Sequence, residues 1–434
     1  MKMSLFQVIL IGVFGAGALI GLFVFATYSS TSSSGGVGTV VIWGTLPAEE
    51  IQASLTVIAQ TEQSFKSVSY EQKDPATLPR DLSAAIATNS APDLVLDSQE
   101  NFYALSKFLT PIPFETLPPS AFTSTFVEEG GLFIGPDGYY GIPFLIDPLV
   151  LFSNRTILSS NGIVRPPATW ESLTGLVPTI ATMTPTRQIT RGLIALGSYN
   201  NVHNARGILS ALFLQEGAPL SLSSPNSTGF ISDLGSKSDA EGTPPGQAVV
   251  NFYTQFADAS KVSYTWNDSL NDSKQAFLSG DLALYIGYAS EARYFAAANP
   301  NLNFLVTTLP QPATATTKST YGLVHAFMIP RGAKNSAGAY QIAVLFTNSN
   351  EQKVTASETG LTPATLNLLS SAPSNPTEAV AYAEALYAKG WVSPSPADTD
   401  AIFSAMIGDV ISGRSNASTA LSSAEGSLGL LLQK

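Results

Sequence analysis

Eight side chains in this sequence could hold a small polar molecule. Trp43, Trp266, Tyr285 and Tyr288 offer aromatic faces, and Asp97, Gln99, Asp147 and Glu291 offer planar polar groups. An aromatic face covers the apolar side of a ring, while a carboxylate or amide bonds paired donors and acceptors. Each has a competing structural assignment. Large aromatics are mostly buried in cores, and Asp97 and Ser98 are both good N-cap types for the segment ENFYALSKFL that follows them.

Residues for covalent or metal chemistry are scarce. Cysteine is absent, which excludes disulfides, thiolate ligands and a lipid-modified cysteine. There are two histidines, far apart: His203 reads as a surface residue and His325 as a core histidine in an apolar strand. No GxSxG elbow or GxxxxGK[ST] loop occurs. Glu128 and Glu129 are adjacent but stand beside Gly130 and Gly131, and read as a solvated turn. WNDSLNDSK lacks the order and the glycine of a calcium loop. The expectation is therefore no catalytic residue, no metal and no cofactor.

Composition narrows the partners. The chain has 434 residues, 44% apolar and 12% charged, with 21 Lys and Arg against 32 Asp and Glu. That is enough apolar material for two or more domain cores. A net charge of −11 without a basic run is a poor match for phosphate backbones, so nucleic acid is not an expected partner. Residues 5–26, LFQVILIGVFGAGALIGLFVFA, carry no charge and follow Lys2. About 20 apolar residues suffice to span a bilayer, and this run exceeds a signal peptide's apolar core. It reads as an uncleaved single-pass membrane anchor over 1–28, with the remainder on the extracytoplasmic side. Residues 29–38 are a Ser/Gly linker.

Positioning elements follow from periodicity. Strands are expected at TVVIWG, VSYEQ and DLVLDS, alternating with helices at 46–65, in LPRDLSAAIATNSAP and at 100–109. Such alternation implies a mostly parallel sheet covered on both faces, with ligands at the carboxyl ends of its strands. Trp43 and Asp97 stand at two such ends. Residues 187–220 read as a long mixed helical region. SKQAFLSGDLALYIGYASEARYF reads as helix, turn, strand and helix, YGLVHAFMIP as a strand, and the chain beyond about 375 as helical. GYYGIPFLIDPLVLFSN, residues 138–154, runs like a buried strand yet holds Asp147 and Pro148 in mid-run. Proline removes a ladder donor, and an unpaired buried carboxylate is costly, so an uninterrupted position deep in a sheet is disfavoured.

These segments, in this order, resemble the extracellular solute-binding proteins of ABC importers, the family whose members bind maltose and other sugars. The resemblance is carried by PDLVLDSQENFYALSKFLTPI, by GYYGIPFLIDPLVLFSN with PPATWESL after it, by AFLSGDLALYIGYASE, and by IPRGAKNSAGAYQIAVLFTNSNEQKV. It spans roughly residues 39–370, with an insertion at about 220–246.

The resemblance implies an α/β, two-lobed periplasmic-binding-protein-like fold, each lobe a mostly parallel sheet flanked by helices. Lobe 1 would be 39–145 plus 308–350, and lobe 2 would be 146–307 plus 351–434. The chain would cross between lobes at 139–154, near 307–310 and near 347–351, with Asp147 facing the cleft. The implied function is capture of a small solute, a sugar first, and delivery to an ABC permease by a monomeric binding protein that is not an enzyme. A sensor or scavenger without import, and a glycoside hydrolase, are the competing assignments.

Overall fold

The computed structural model describes residues 37–223, 229–237 and 242–433. The expected membrane helix lies outside these residues. Among the described residues no helix is long and apolar enough to cross a membrane. The chain divides into a unit over Met1–Gly38 and a compact unit over Thr39–Lys434, and the fold described below is that of the second.

One sheet of eleven strands organises this unit. Its strands are β1 Val40–Gly44, β2 Val68–Gln72, β3 Leu94–Ser98, β4 Ile142–Asn154, β5 Thr182–Met183, β6 Ile189–Ile194, β7 Leu282–Tyr288, β8 Phe304–Thr307, β9 Thr320–Met328, β10 Thr362–Pro363 and β11 Ala388–Lys389. The main path runs β2-β1-β3-β9-β4-β7-β6-β5. β8 and β10 also pair with β4, and β11 with β9.

The alternation of strand and helix from 40 to 98 is as periodicity predicts. Ala48–Thr61 forms a helix with Glu49 and Glu50 in its first turn, where acidic groups favour the helix dipole. Two expectations are corrected. Residues 187–220 are not helical throughout: ITRGLI forms β6, parallel to β7, and only Ala205–Gln215 is helix. Burial against β7 decides here, because a short apolar run is ambiguous by period alone. Nor is the sheet mostly parallel. β1 pairs in parallel with β2 and β3, and β7 with β6. The long returning strands β9 and β4 run antiparallel to β3, to β7 and to each other.

β4 explains the broken run GYYGIPFLIDPLVLFSN. All thirteen of its residues are buried. Ile142 to Pro148 pair with β9, and Leu149 to Ser153 pair with β7. Pro148 thus stands where the strand changes partner, a place where a missing N–H donor is tolerated. The hydrophobic core divides at the same point. Ile146 packs with Leu82, Val95, Phe102, Val324 and Met328, while Leu149 to Phe152 pack with Leu193, Phe213, Phe277 and Phe295. One strand therefore enters two cores, which defines two lobes. Ahead of it, Gly138 holds φ at 146°, and a Cβ there would collide with the Ile112 carbonyl.

The return between cores falls later than 347–351. Phe346 stacks on Phe327 and meets Phe65 and Phe144 edge-on. In the helix Ser349–Thr359, the hydroxyls of Thr355 and Ser54 are hydrogen-bonded at 2.6 Å. Both helices that meet at 347–351 thus pack on elements of the first lobe: the first part of β4, β9, and the segment 48–67. Between Ala381 and Trp391 the chain touches both cores, and Phe403 to Leu428 pack in the second.

Candidate functional site

The carboxyl end of β3 and the start of the helix Ala205–Gln215 face each other across the two cores. β3 ends at Ser98, and a short helical turn, Gln99–Asn101, follows. This turn points Glu100 toward Arg206. Arg206 donates from Nε to Glu100 Oε1 and from Nη2 to Oε2, both at 2.8 Å. Such two-pronged carboxylate–guanidinium pairing fixes orientation as well as distance. Nη1 of Arg206 also donates to Asp400 Oδ2, and Tyr199 donates its hydroxyl to Asp400 Oδ1 at 2.6 Å. Tyr321 donates its hydroxyl to Glu100 Oε1 at 3.0 Å.

A cavity of about 270 Å³ opens beside this network, lined by Tyr199, Asn204, Arg206, Gly207, Tyr288 and Asp400 among others. Gly207 is required for its shape, since a Cβ there would lie 2.7 Å from the Tyr288 hydroxyl. Burial alone would lower the Arg206 pKa, but the carboxylates of Glu100 and Asp400 outweigh it and hold the guanidinium charged. Burial, and then the Glu100 charge, keep the Tyr288 and Tyr321 phenols protonated far above their ordinary range. The wall thus presents the Arg206 cation, the Asp400 carboxylate and the phenols of Tyr199 and Tyr288, all of which can bond hydroxyls.

Of the residues expected from sequence, Tyr288 lines this cavity, half-buried. Trp43 lies half-buried at the end of β1, its ring covered by Lys73 Nζ at 3.8 Å from the centroid. Asp97 and Gln99 are buried supports. Asp97 accepts from Thr45 Oγ1, Asn101 Nδ2 and Ser98 N, tying the ends of β1 and β3 together. Burial, chiefly, pushes its carboxyl up to about 6. Gln99 clamps β9: it donates to Gly322 O at 2.8 Å and accepts from Val324 N at 2.7 Å.

Asp147 is buried rather than wetted, because it has found partners. It accepts from Ser290 N at 3.1 Å and Ser290 Oγ at 2.5 Å, pinning the start of the helix Glu291–Ala298 to β4. Burial pushes its carboxyl up to about 7 against these bonds. Glu291 accepts from Tyr285 Oη at 2.6 Å and Asn204 Nδ2 at 2.9 Å. Tyr285 is itself 1% exposed. This trio braces the segment that carries Arg206. Trp266 is sealed in the second core and donates to Asn201 Oδ1 at 3.2 Å, so it reaches no cavity of the site.

One other expectation changes and one holds in part. Glu129 is not in a solvated turn; it is 3% exposed, inside the 3₁₀ turn Glu128–Phe133. His325 is buried, but its Nδ1 finds no partner among the described residues, and burial lowers its pKa to about 4. Arg206, Glu100, Tyr321 and Asp400 did not stand out in the sequence. Glu100 had a signal, since it adjoins the strand end already marked by Asp97 and Gln99. Arg206 and Asp400 had none, because the pairing joins residues 194 positions apart.

No curated protein sequence matches the chain. A family model described as bacterial extracellular solute-binding protein matches residues 59–400. Among solved structures, a cyclo/maltodextrin-binding protein complexed with maltotetraose is similar in fold, with a TM-score of 0.72 and 15% identity over 93% of this chain and 99% of that one. The cyclic α-maltosyl-1,6-maltose binding protein from Arthrobacter globiformis gives a TM-score of 0.73 at 15% identity, covering 92% and 100%. The GacH receptor of Streptomyces glaucescens, solved unliganded and with acarbose, gives 0.67 at 17%, covering 92% and 99%. At such identities the likeness is one of fold.

Proposed function

Because the chain belongs to the bacterial extracellular solute-binding protein family, we propose that it captures a sugar or oligosaccharide between its lobes and delivers it to the permease of an ABC importer. The observation that carries this reading is the Glu100–Arg206 pair, which reaches from one lobe to the other beside Tyr199, Tyr288 and Tyr321. Charged and phenolic groups of this kind bond vicinal hydroxyls, and the ring faces cover C–H surfaces. The solutes bound by the neighbours of this fold, maltotetraose and acarbose, support the same class.

Capture is differential binding. A solute in the cavity beside the Glu100–Arg206 pair favours the closed arrangement, in which that pair joins the lobes and shapes the cavity wall. Trp43, Tyr199, Tyr288, Arg206 and Asp400 make contact in this account, with Glu100 and Tyr321 orienting Arg206. Asp97, Gln99, Asp147, Tyr285 and Glu291 hold them from behind. No bond is made or broken, so the chain acts as a binding protein and not as an enzyme. Lobe 1 comprises 39–145 and 323–369, and lobe 2 comprises 149–307 and 396–433, with the segments between them as hinge. Residues 1–28 anchor a monomer to the membrane, with the lobes on the extracytoplasmic side.

A thermal-shift screen against mono- and oligosaccharides, amino acids, peptides and polyamines tests this. A ligand at about 100 times its Kd adds roughly 2.7 kcal/mol of stability. Stabilisation by one saccharide class alone is the expected result. Stabilisation by a different class, or by none, overturns the sugar assignment.

A further inference from the structure

A second cavity, of about 600 Å³, lies among the helices Trp170–Thr174, Ala205–Gln215 and Pro245–Thr254. Its walls are largely apolar, from Trp170, Pro178, Leu212, Val249, Phe252 and Pro312. Trp170 and Phe252 meet edge-on with ring centroids 5.6 Å apart, which sets an aromatic corner in the recess. The volume falls within the range of small-molecule sites, about 300–1,000 Å³.

The uncharged polar side chains of the lining are already engaged. Gln215 accepts from Trp170 Nε1 at 2.7 Å and donates to Pro310 O and Ser319 O. Gln255 donates to Phe252 O and accepts from Ser263 Oγ at 3.2 Å, and Thr174 donates to Trp170 O. Two carboxylates remain, Glu171 and Glu216, and both residues are exposed. Oε2 of Glu171 accepts from Ala313 N at 3.1 Å, which seats that carboxylate at the edge formed by Pro312. Burial, and then the Glu171 charge, raise the Glu216 carboxyl, so the two carboxylates are near enough to repel. No Lys, Arg or His stands among the lining residues to offset them.

We propose that this cavity binds an organic cation with an aromatic body, its ammonium beside Glu171 and Glu216 and its ring against Trp170 and Phe252. Charge and surface both match. The ammonium relieves the repulsion between two carboxylates that lack a cation, and an aromatic face attracts it further. The apolar walls take the body out of water. A saccharide has little to bond here, since the amides and the hydroxyl of the lining are engaged, and an anion is repelled by both carboxylates. The proposal stands independently of the saccharide reading, because no residue lining this cavity lines the one beside Arg206.

The test is calorimetric titration of the full chain with 2-phenylethylammonium chloride, with neutral 2-phenylethanol, and with sodium 3-phenylpropionate. The three probes share a ring and a two-carbon stem and differ in charge. Expected are saturable binding of the ammonium, about fivefold or more weaker binding of the alcohol, and no binding of the carboxylate. The double variant Glu171→Gln, Glu216→Gln should weaken the ammonium by about fivefold or more. Val262 lines the cavity and is exposed, so Val262→Lys sets a cation at its lip and should weaken the ammonium as well. Absence of saturable ammonium binding, equal affinity for ammonium and alcohol, or ammonium affinity unchanged in the double variant overturns the proposal. Should the double variant fail to fold, Val262→Lys decides: unchanged ammonium affinity there places the cation elsewhere and overturns it.

Discussion

Glu100 and Arg206 form a two-pronged ion pair, 2.8 Å at each prong, between the end of β3 in one lobe and a helix start in the other. The Glu100 side chain is 8% exposed and that of Arg206 21%. Taking both charges out of water is costly, and the pair is not by itself a source of stability. Its effect is orientational: it fixes how the two lobes face each other.

Removing one partner should therefore cost more than removing both. Arg206→Met leaves Glu100 buried with a lone phenol donor. The expected loss is about 3 kcal/mol, at the low end for a broken buried pair because Arg206 keeps contact with water. The double variant Glu100→Gln, Arg206→Met should recover part of that loss. Chemical denaturation of the two single variants and the double variant measures it, and strict additivity would contradict the pairing.

Gly207→Ala should separate binding from folding. The added methyl meets the Tyr288 hydroxyl and must displace its ring. Helix propensity alone favours alanine by about 1 kcal/mol. The expected outcome is near-native stability with solute affinity reduced about tenfold. Unchanged affinity would remove Tyr288 from the site.

Stability should fall as pH rises from about 4 to about 7. Burial raises the carboxyls of Asp97 and Asp147 to about 6 and about 7, above the unfolded value of about 3.9. The folded chain then holds protons that the unfolded chain releases, so the stability they lend is present at low pH and lost on the way up. Moving one carboxyl from about 4 to about 7 corresponds to an order of 4 kcal/mol. Asp147→Asn should flatten part of this slope and be more stable than the parent at pH 8. A parent whose stability climbs from pH 5 to pH 8 would contradict the assignment.

A fragment beginning at Gly38 should be soluble, monomeric and cooperatively folded, because Thr39 onward forms its own compact unit. Analytical ultracentrifugation checks this. Aggregation of the fragment would place the domain boundary elsewhere.

Local features were legible in the sequence. The helix–turn–strand–helix of residues 273–298 followed from its periodicity and from Gly280, whose φ is 85°. Asp147 and Pro148 made the run at 138–154 stand out, and they lie where β4 exchanges β9 for β7; the strand itself is nonetheless unbroken and wholly buried, which the proline had argued against. What was not legible depends on distance along the chain. Asp147 looked wetted because Ser290, which bonds it, is 143 residues away. Glu129 looked exposed because nothing local told that Gly322 and Gly390 close over it. Trp266 looked available because an aromatic near a loop and one inside a core have the same sequence signature.

Solute binds in the cavity beside the Glu100–Arg206 pair, at the junction of the lobes. Calorimetric titration of the most stabilising saccharide into the parent, Glu100→Gln and Arg206→Met tests it directly. The account predicts a single site in the parent and a loss of at least tenfold in each variant, about 1.4 kcal/mol or more. Equal affinity in all three proteins would contradict it and move the solute away from the junction of the lobes.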